Sequence, residues 1–382
     1  MNRESDPSSM SAAEAEPGAM RAPIEERFPI CRSITGDGVR RTLSILQRHI
    51  QLEVHQGPSG TSVLDWTVPR EWNIRGAHIA NQDGTCIVDF AASNLHVVQY
   101  SRPMEAVMPL SELMPHLPDE PDWIPYRTSY YNENWGFCLP HRQLSSLADG
   151  LYRVVVDSDL APGNLSHGGL LIPGETDDTV LFSCHICHPS LANDNLSGFG
   201  VATMLALRPR YSYRFLFIPG TIGSLTWLAR NEDKVQSVTD GLALSCLGDA
   251  DGMTYRQSRC GDTAIDRIAA HVLHHEEVRH HIRSFVSYGY DERQYCSPGF
   301  DLPVGCLMFT PNGEYPEYHS SADNLSLLRS ESRAFARGAA ADRCRHRRGC
   351  GLAQLQSERR TAAQPAGALR GGGRPALSYC GS

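Results

Sequence analysis

The chain has 382 residues, of which 41% are hydrophobic and 20% are charged, and its formal net charge is -8. This composition excludes a disordered chain, and the length exceeds one minimal domain, so we expect one large domain or two ordinary ones. No apolar run reaches the roughly 18 residues of a membrane-spanning helix, so no membrane partner is expected. The first 20 residues show no basic-then-apolar secretory pattern, and the 12 cysteines are scattered along the chain. Both observations predict reduced thiols in a cytoplasmic protein.

Charge is distributed unevenly between the body of the chain and its C-terminal tail. Residues 331–382 contain ten arginines and three acids, a local charge of +7, so the preceding 330 residues carry -15. Three explanations of the tail remain open: a disordered basic tail, out-of-frame translation of a GC-rich gene, and a nucleic-acid arm. We predict an aberrant or disordered tail and no nucleic-acid partner. Residues 1–25 have few large apolar side chains and are also predicted to be disordered.

The first half of the chain predicts a helix followed by a small β unit. Residues 38–50 carry leucine and isoleucine at helical spacing. Short β-rich segments separated by turn signals follow at residues 61–64, 78–80, 86–90 and 96–98. They predict a small antiparallel β domain inserted at about residues 61–130. Residues 103–147, rich in Pro, Trp and Tyr, are predicted to form a connecting or lid-like segment.

From about residue 151 onward, apolar strands alternate with helical stretches. Strands are predicted at residues 179–185, 214–219, 242–247, 282–290 and 304–310, and helices at 197–207, 224–231 and 264–276. This alternation predicts an α/β sheet covered by helices. Ligand sites of such sheets lie at the carboxyl ends of the strands, so the polar residues just past each strand are the candidates for function.

The richest of these strand ends is the segment from Ser183 to Gly198. His185 and His188 precede Asp194, which lies near the start of the next helix. Imidazole and carboxylate are good zinc ligands, and a turn at a strand end lets them converge. The alternative is an N-cap aspartate beside two ordinary loop histidines. Cys184 and Cys187 form a C-x-x-C without a second pair, which favours core thiols over a structural zinc site.

Three further polar clusters follow later strands. His319 lies in a loop with Asp323 four residues on, Asp249 follows another apolar strand, and residues 291–293 read Asp-Glu-Arg. A carboxylate near a histidine could orient its ring. Any one of these clusters alone is typical of a solvated turn. Together they indicate a site assembled from several strand ends.

These motifs together resemble the zinc-dependent aminopeptidase fold family. Within it, several segments look like one bacterial subgroup of unknown function associated with polysaccharide and natural-product gene clusters: Phe28-Pro-Ile-Cys-Arg-Ser-Ile-Thr-Gly36, Asp65-Trp-Thr-Val-Pro69, Ser93-Asn-Leu-His-Val97, Ile124-Pro-Tyr-Arg-Thr-Ser-Tyr-Tyr131 and Trp135-Gly-Phe-Cys-Leu139. The resemblance implies a three-layer α/β/α zinc exopeptidase-like (phosphorylase/hydrolase-like) domain over residues 26–330, with a small inserted antiparallel β domain.

The resemblance also implies a set of zinc ligands. His185 or His188, the two being rivals, would join Asp194, Asp249 and His319. In the peptidases a Glu-Glu pair supplies the general base and a further ligand, but residues 218–224 contain no carboxylate and place Gly220-Thr221 there.

The base must therefore come from elsewhere in the chain. Glu292 and Glu317 are the candidate catalytic carboxylates, and Arg293 and Tyr295 are candidates for binding the polar end of the substrate.

The resulting hypothesis is a zinc-dependent hydrolase of the aminopeptidase type that cleaves an amide or peptide bond of a small molecule or peptide. The family context favours an aminoacylated sugar or metabolite as substrate. The competing hypothesis is a binding protein that kept the aminopeptidase fold and lost its general base.

Overall fold

A computed structural model describes residues 21–174, 177–206, 212–275 and 279–328. In chain order the helices are α1 (Arg21–Arg27), α2 (Asp37–Gln47), α3 (Leu110–Leu113), α4 (His141–Leu144), α5 (Gly198–Ala206), α6 (Ile222–Arg230), α7 (Ala264–His275) and α8 (Glu292–Tyr295). The strands are β1 (Glu53–Pro58), β2 (Ser62–Val63), β3 (Trp66–Thr67), β4 (Glu71–Asn81), β5 (Cys86–Asp89), β6 (Met104–Pro109), β7 (Asp119–Glu120), β8 (Leu139–Pro140), β9 (Leu151–Ala161), β10 (Asn164–Ile172), β11 (Thr179–His185), β12 (Tyr213–Ile218), β13 (Val238–Leu244), β14 (Met253–Arg256), β15 (His280–Arg283) and β16 (Val304–Met308).

Eight of these strands form one mixed sheet in the order β1-β10-β12-β11-β13-β16-β14-β15. Its centre is parallel, because β11 runs parallel to both β12 and β13, and β13 runs parallel to β16. Every residue of β11 is buried, as expected for a central parallel strand covered on both faces. The carboxyl ends of these four strands therefore lie along one edge of the sheet.

Helices cover both faces of this sheet. On one face, alternate side chains such as Phe182 and Phe215 pack with apolar residues of α2, α5 and α7. On the other face, Leu181 and Leu216 pack with Trp227 of α6 and with α8. This arrangement confirms the predicted α/β fold with three α/β/α layers. Helix α2 shows why the sequence pattern succeeds, since its buried residues recur every three or four positions.

A second sheet is built from chain that leaves the main sheet after β1 and returns to it at β10. Its four antiparallel strands have the order β5-β4-β9-β6. It includes β9 and therefore reaches beyond the predicted segment 61–130. The segment 103–147, predicted to be a connection, contributes β6 to this sheet, and all six residues of β6 pair with β9. The predicted β-rich segment 96–98 does not form a strand: His96 ends a 3-10 turn, Asn94–His96, and Val97 makes an isolated bridge with Phe137.

One predicted strand of the main sheet is much shorter than expected. Residues 282–290 were predicted to be extended, but β15 ends at Arg283 and residues 284–290 are irregular. The strand is at the sheet edge, and the serines and the glycine that follow it supply no apolar alternation for further pairing. This irregular loop carries Tyr290 and Asp291 into the candidate site described below.

The predicted disorder of residues 1–25 is wrong for its last five residues. Helix α1 starts at Arg21. It packs on the domain through the buried Ile24 and through Arg27, whose guanidinium lies 4.5 Å from the centre of the Phe199 ring. Residues 1–20 and the predicted basic tail, 331–382, are outside the described part of the chain. Among the described helices, none is both long and apolar enough to cross a membrane.

A buried histidine on β10 makes stability depend on pH. Burial, with smaller contributions from His55 and Arg230, lowers the pKa of His167 to about 3 from its ordinary 6.5. The stabilisation from neutral His167 is therefore complete above pH 6.5 and is lost as pH falls toward 3. This one group is expected to cost about 2 kcal/mol between pH 7 and pH 5. Urea unfolding of wild type and His167→Gln at both pH values tests this, and an equal pH dependence in the two proteins contradicts it.

Candidate metal centre

The first two candidate residues meet where β11 ends. His185 is the last residue of β11, and Asp194 lies in an irregular helical turn, Ala192–Ser197, just before α5. The Nε2 atom of His185 lies 2.8 Å from Oδ1 of Asp194. The side chain of Asp194 is fully buried and that of His185 is 2% exposed. Nδ1 of His185 lies 3.2 Å from the Asn195 side-chain nitrogen, and Nε2 of the same ring faces Asp194.

Two more imidazoles reach the same carboxylate. His188 Nδ1 lies 3.1 Å from Asp194 Oδ2, and His319 Nε2 lies 2.9 Å from that same oxygen. The ligand atoms of His185, His188 and Asp194 all lie within 4.8 Å of one another. His319 arrives from the loop after β16, so the cluster joins the ends of two parallel strands. The four residues His185, His188, Asp194 and His319 are called the His/Asp cluster below.

The protonation states expected for the His/Asp cluster favour binding of a cation. Burial lowers the pKa of His185 to about 4, although Asp194 opposes this shift. Burial also lowers the pKa of His319. For Asp194, burial alone would raise the pKa, but the charge of His188 and hydrogen bonds from the three imidazoles hold it well below its ordinary value. Near neutral pH the cluster therefore presents neutral imidazoles on His185 and His319 and an ionised carboxylate.

Aromatic side chains enclose the cluster. The Tyr290 ring stacks on His185 with centroids 3.8 Å apart, and its hydroxyl donates a 2.8 Å hydrogen bond to Asp194 Oδ2. Tyr126, from the long segment that precedes β8, packs against the rings of His188 and His319. The backbone N–H of Tyr126 also donates to the carbonyl of His319 at 2.6 Å. The His319 side chain remains 28% exposed and marks the side open to solvent.

The donor set fits zinc. Zinc in proteins takes imidazole nitrogen and carboxylate oxygen, most often four ligands in total. The His/Asp cluster offers three imidazoles and one carboxylate, and the state of His185 and Asp194 near neutral pH is the one a metal requires. The alternative of an N-cap aspartate beside ordinary loop histidines does not describe this geometry, since the carboxylate of Asp194 contacts three imidazoles.

Comparison with known proteins gives the family. Residues 22–339 match the model of a domain of unknown function, DUF4910. A protein of Clostridium acetobutylicum, whose name gives it a candidate role in polysaccharide biosynthesis and an aminopeptidase-like domain, is 49% identical over 319 residues, which are 81% of this chain and 73% of that protein. This chain belongs to the DUF4910 family.

Solved structures place this DUF4910 protein in a fold group. A candidate peptidase from Clostridium acetobutylicum superposes with a TM-score of 0.84 at 46% identity, covering 87% of this chain and 80% of that one. A zinc aminopeptidase from Bacillus subtilis superposes with a TM-score of 0.60 at 10% identity, covering 85% and 94%. An M28 peptidase precursor from Shewanella amazonensis gives 0.57 at 12% identity, covering 86% and 92%. The fold is therefore that of the zinc aminopeptidases, which confirms the resemblance stated from the sequence.

Asp249 is the one predicted ligand that lies apart from the His/Asp cluster. Its carboxylate accepts hydrogen bonds from the Asn193 side chain at 3.1 Å and from the backbone N–H groups of Asp251 and Thr310. None of the described contacts joins it to the three imidazoles. Asn193 adjoins Asp194 in the chain, so Asp249 supports the turn that carries Asp194.

Two of the residues predicted for catalysis and substrate binding lie in the core of the DUF4910 domain. Glu292 is fully buried and forms an ion pair with Arg256 at 3.1 Å. Tyr295 is fully buried among apolar residues, and its hydroxyl lies 2.9 Å from that of Ser183. Helix α8 turns Tyr295 toward the sheet, and its predicted role in substrate binding remains a prediction.

Arg293 and Glu317 are half-buried, and no described contact links either side chain to the His/Asp cluster. Arg293 lies on α8 with its Nε atom buried and unpartnered. Glu317 contributes its backbone carbonyl, which accepts from Ser320 in the turn around His319. The predicted roles of these two residues remain predictions.

Two carboxylates outside the predicted set of metal ligands and catalytic residues lie near the cluster. Asp323 accepts hydrogen bonds from the backbone N–H groups of Ala192, Asn193 and Asp194 at 2.5–3.1 Å, so it supports the turn and does not orient His319. Asp291 is buried, and one of its oxygens accepts from Ser224 Oγ at 2.8 Å. The only sequence signal for Asp291 is its place in the acidic cluster after a predicted strand.

The C-x-x-C thiols are buried, as predicted. Cys184 is 1% exposed and Cys187 is 3% exposed. Burial raises the pKa of Cys187 to about 12, so the thiol stays protonated near neutral pH. Its Sγ atom lies 3.8 Å from the carbonyl oxygen of Gly220, on the wall of the candidate site.

Proposed function

We propose that this protein is a zinc-dependent hydrolase of the aminopeptidase type, which cleaves an amide or peptide bond at the His/Asp cluster. The observation that carries the proposal is the convergence of three imidazoles on one buried carboxylate at the ends of two parallel strands. The zinc aminopeptidase fold supports it.

The residues of the chain have distinct parts in this proposal. His185, His188, Asp194 and His319 would hold zinc, which when bound polarises the amide carbonyl and lowers the pKa of water to about 7. The Tyr290 hydroxyl keeps one oxygen of Asp194 in place. The rings of Tyr126 and Tyr290 exclude water from the inner side of the cluster, so substrate approaches past the partly exposed His319.

The proposed substrate is a small molecule or a peptide, and the favoured class is an aminoacylated sugar or metabolite. The name of the relative from Clostridium acetobutylicum, which includes polysaccharide biosynthesis, supports that class. The proposal includes a cytoplasmic location and no nucleic-acid or membrane partner. Free thiols at all nine cysteines of the described segments support the location.

A second candidate function follows from Gly220 and Thr221. These two residues, at the end of β12, bring no carboxylate to the site, although proton transfer by a placed carboxylate typically contributes about 10²- to 10⁴-fold to the rate of such reactions. A protein that kept the pocket without a base would bind an amide-containing ligand and leave it intact.

Removal of the metal tests the proposal. The purified full chain is expected to hydrolyse members of a panel of aminoacyl amides, to lose this activity with a chelator, and to regain it when zinc is added back. The measurement is release of the amine, with zinc-free buffer as control. Zinc binding without turnover of any amide would favour the binding protein, and activity that persists without bound metal would contradict the proposal.

A further inference from the structure

Hydrolysis of an amide needs a group that moves a proton from the attacking water to the departing nitrogen. A carboxylate near the His/Asp cluster can do this only if one of its oxygens is not already engaged in other hydrogen bonds. Asp194 contacts three imidazoles, and Asp323 is held by three backbone N–H groups. Asp249 accepts from Asn193 and from two backbone N–H groups. All three have their oxygens engaged in supporting the site.

The two acids at the start of α8 differ from each other. Glu292 is paired with Arg256 and also accepts from the backbone N–H of Tyr290. Asp291 is hydrogen-bonded through Oδ1 to Ser224, and among the described residues no hydrogen bond engages its Oδ2. Asp291 is also the N-cap residue of α8, yet its side chain makes no capping hydrogen bond. Its carboxylate therefore lacks the structural role that an aspartate at this position ordinarily has.

The free oxygen of Asp291 lies beside Gly220, which also adjoins His185 of the cluster. A Cβ atom placed on Gly220 would lie 3.6 Å from Asp291 Oδ2 and 3.3 Å from Cβ of His185. It would also lie 3.4 Å from the Tyr290 ring, which stacks on His185. Asp291 and His185 thus lie on either side of the space that a side chain on residue 220 would fill. Because Gly220 has no side chain, this space stays open beside the carboxylate of Asp291.

We propose that Asp291 is the proton-transfer carboxylate of this site. Asp291 Oδ2 takes a proton from the attacking water as the new O–C bond forms at the amide carbon. It returns that proton to the amide nitrogen as the C–N bond breaks, so one water is consumed and an amine and a carboxylic acid are released. The inference rests on the proposed function, and it removes the reason to regard the protein as a binding protein without a base.

The surroundings of Asp291 suit this role. Burial raises its pKa to about 7, while the Ser224 hydrogen bond opposes the shift and Glu292 adds to it. A carboxylate with a pKa near the working pH both accepts and returns a proton efficiently. The titratable groups that act on it from neighbouring elements are Glu292, Arg293 and Tyr295 on α8, Cys184, Cys187 and His188 at and after β11, and Cys306 on β16.

The test uses the full chain loaded with Co²⁺, whose visible absorption responds to ionisation of groups beside the metal, and compares Asp291→Asn with Ser224→Ala. Asp291→Asn removes the carboxylate but keeps an amide oxygen that can accept from Ser224 Oγ, whereas Ser224→Ala removes that hydrogen bond and keeps the carboxylate. Wild type is expected to show a pH transition near neutrality. Asp291→Asn is expected to lose this transition or shift it by at least about one pH unit. Ser224→Ala keeps the transition and moves it to higher pH, because the lost bond favours the ionised carboxylate.

A second measurement follows turnover of an amide from the panel. Asp291→Asn is expected to lower kcat by about 10²- to 10⁴-fold with KM changed less than about threefold. Unaltered transitions in both variants, or the same loss in both, overturn the inference while leaving the proposed function standing. Failure of wild type to bind Co²⁺ or zinc overturns the proposed function and the inference together.

Discussion

Replacing Asp194 by asparagine is expected to weaken zinc binding by at least about 100-fold. Asp194 is the residue on which His185, His188 and His319 converge, at 2.8, 3.1 and 2.9 Å. Its ionised oxygens supply the only negative charge that these three imidazoles contact directly among the described residues. Loss of an outer residue that merely orients a ligand costs about 10- to 100-fold in metal affinity, so loss of the central carboxylate costs more.

Asp249→Asn is the matched control for that experiment. The same change of carboxylate to amide is made at a buried acid that the sequence predicted as a ligand. Because the structure connects Asp249 to Asn193 and not to the imidazoles, zinc affinity is expected to fall by less than about tenfold. Competition titration against a zinc chelator of known affinity measures both variants. A larger loss in Asp249→Asn than in Asp194→Asn would reverse the assignment of the central ligand.

The second large effect is expected at Asp323, which holds the turn containing Asp194. Asp323→Ala leaves the backbone N–H groups of Asn193 and Asp194 without their side-chain acceptor, whereas the N–H of Ala192 keeps its bond to the backbone carbonyl of residue 323. Each buried N–H without a partner costs about 1–3 kcal/mol, so loss of two acceptors is expected to destabilise the metal-free protein by about 2–6 kcal/mol. Zinc affinity is expected to fall by about 10- to 100-fold, because the Asp194 backbone loses its anchor.

Asp323→Asn separates the two sources of this effect. The amide keeps one carbonyl oxygen of nearly the same shape, so it retains part of the hydrogen bonding and loses the charge. Its stability and its zinc affinity are expected to lie between those of wild type and Asp323→Ala. Urea unfolding of the metal-free proteins and zinc competition titration give the two quantities. An Asp323→Ala variant that folds and binds zinc as wild type does would show that the turn needs no anchor.

The main sheet was predictable because its central elements follow simple periodic patterns. Strand β11 covers the predicted residues 179–185, and helix α2 presents buried residues at helical spacing. The edge of the sheet was less predictable. The predicted strand 282–290 ended at Arg283, since strand propensity does not show where pairing with a neighbour stops. Strand β9 joined the second sheet because of a long-range pairing with β4 that no local signal announces.

Part of the site was also predictable, since polar residues after buried strands converge at one edge of an α/β sheet. His185, His188, Asp194 and His319 were found in this way and lie together in the structure. The neighbouring acids were harder to assign. Adjacent residues on a helix point in different directions, so Asp291 faces Ser224 while Glu292 faces Arg256. Which of the two faces the cluster depends on how α8 is seated.

The zinc content of the purified full chain tests the central claim most directly. After dialysis against buffer without chelator, elemental analysis of wild type is expected to give about one zinc per chain, because the described residues contain one cluster of mutually close ligand atoms. Asp194→Asn, purified in parallel, is expected to contain almost none. Wild type without zinc, or an Asp194→Asn protein that holds as much zinc as wild type, would contradict the assignment of the His/Asp cluster as the metal site.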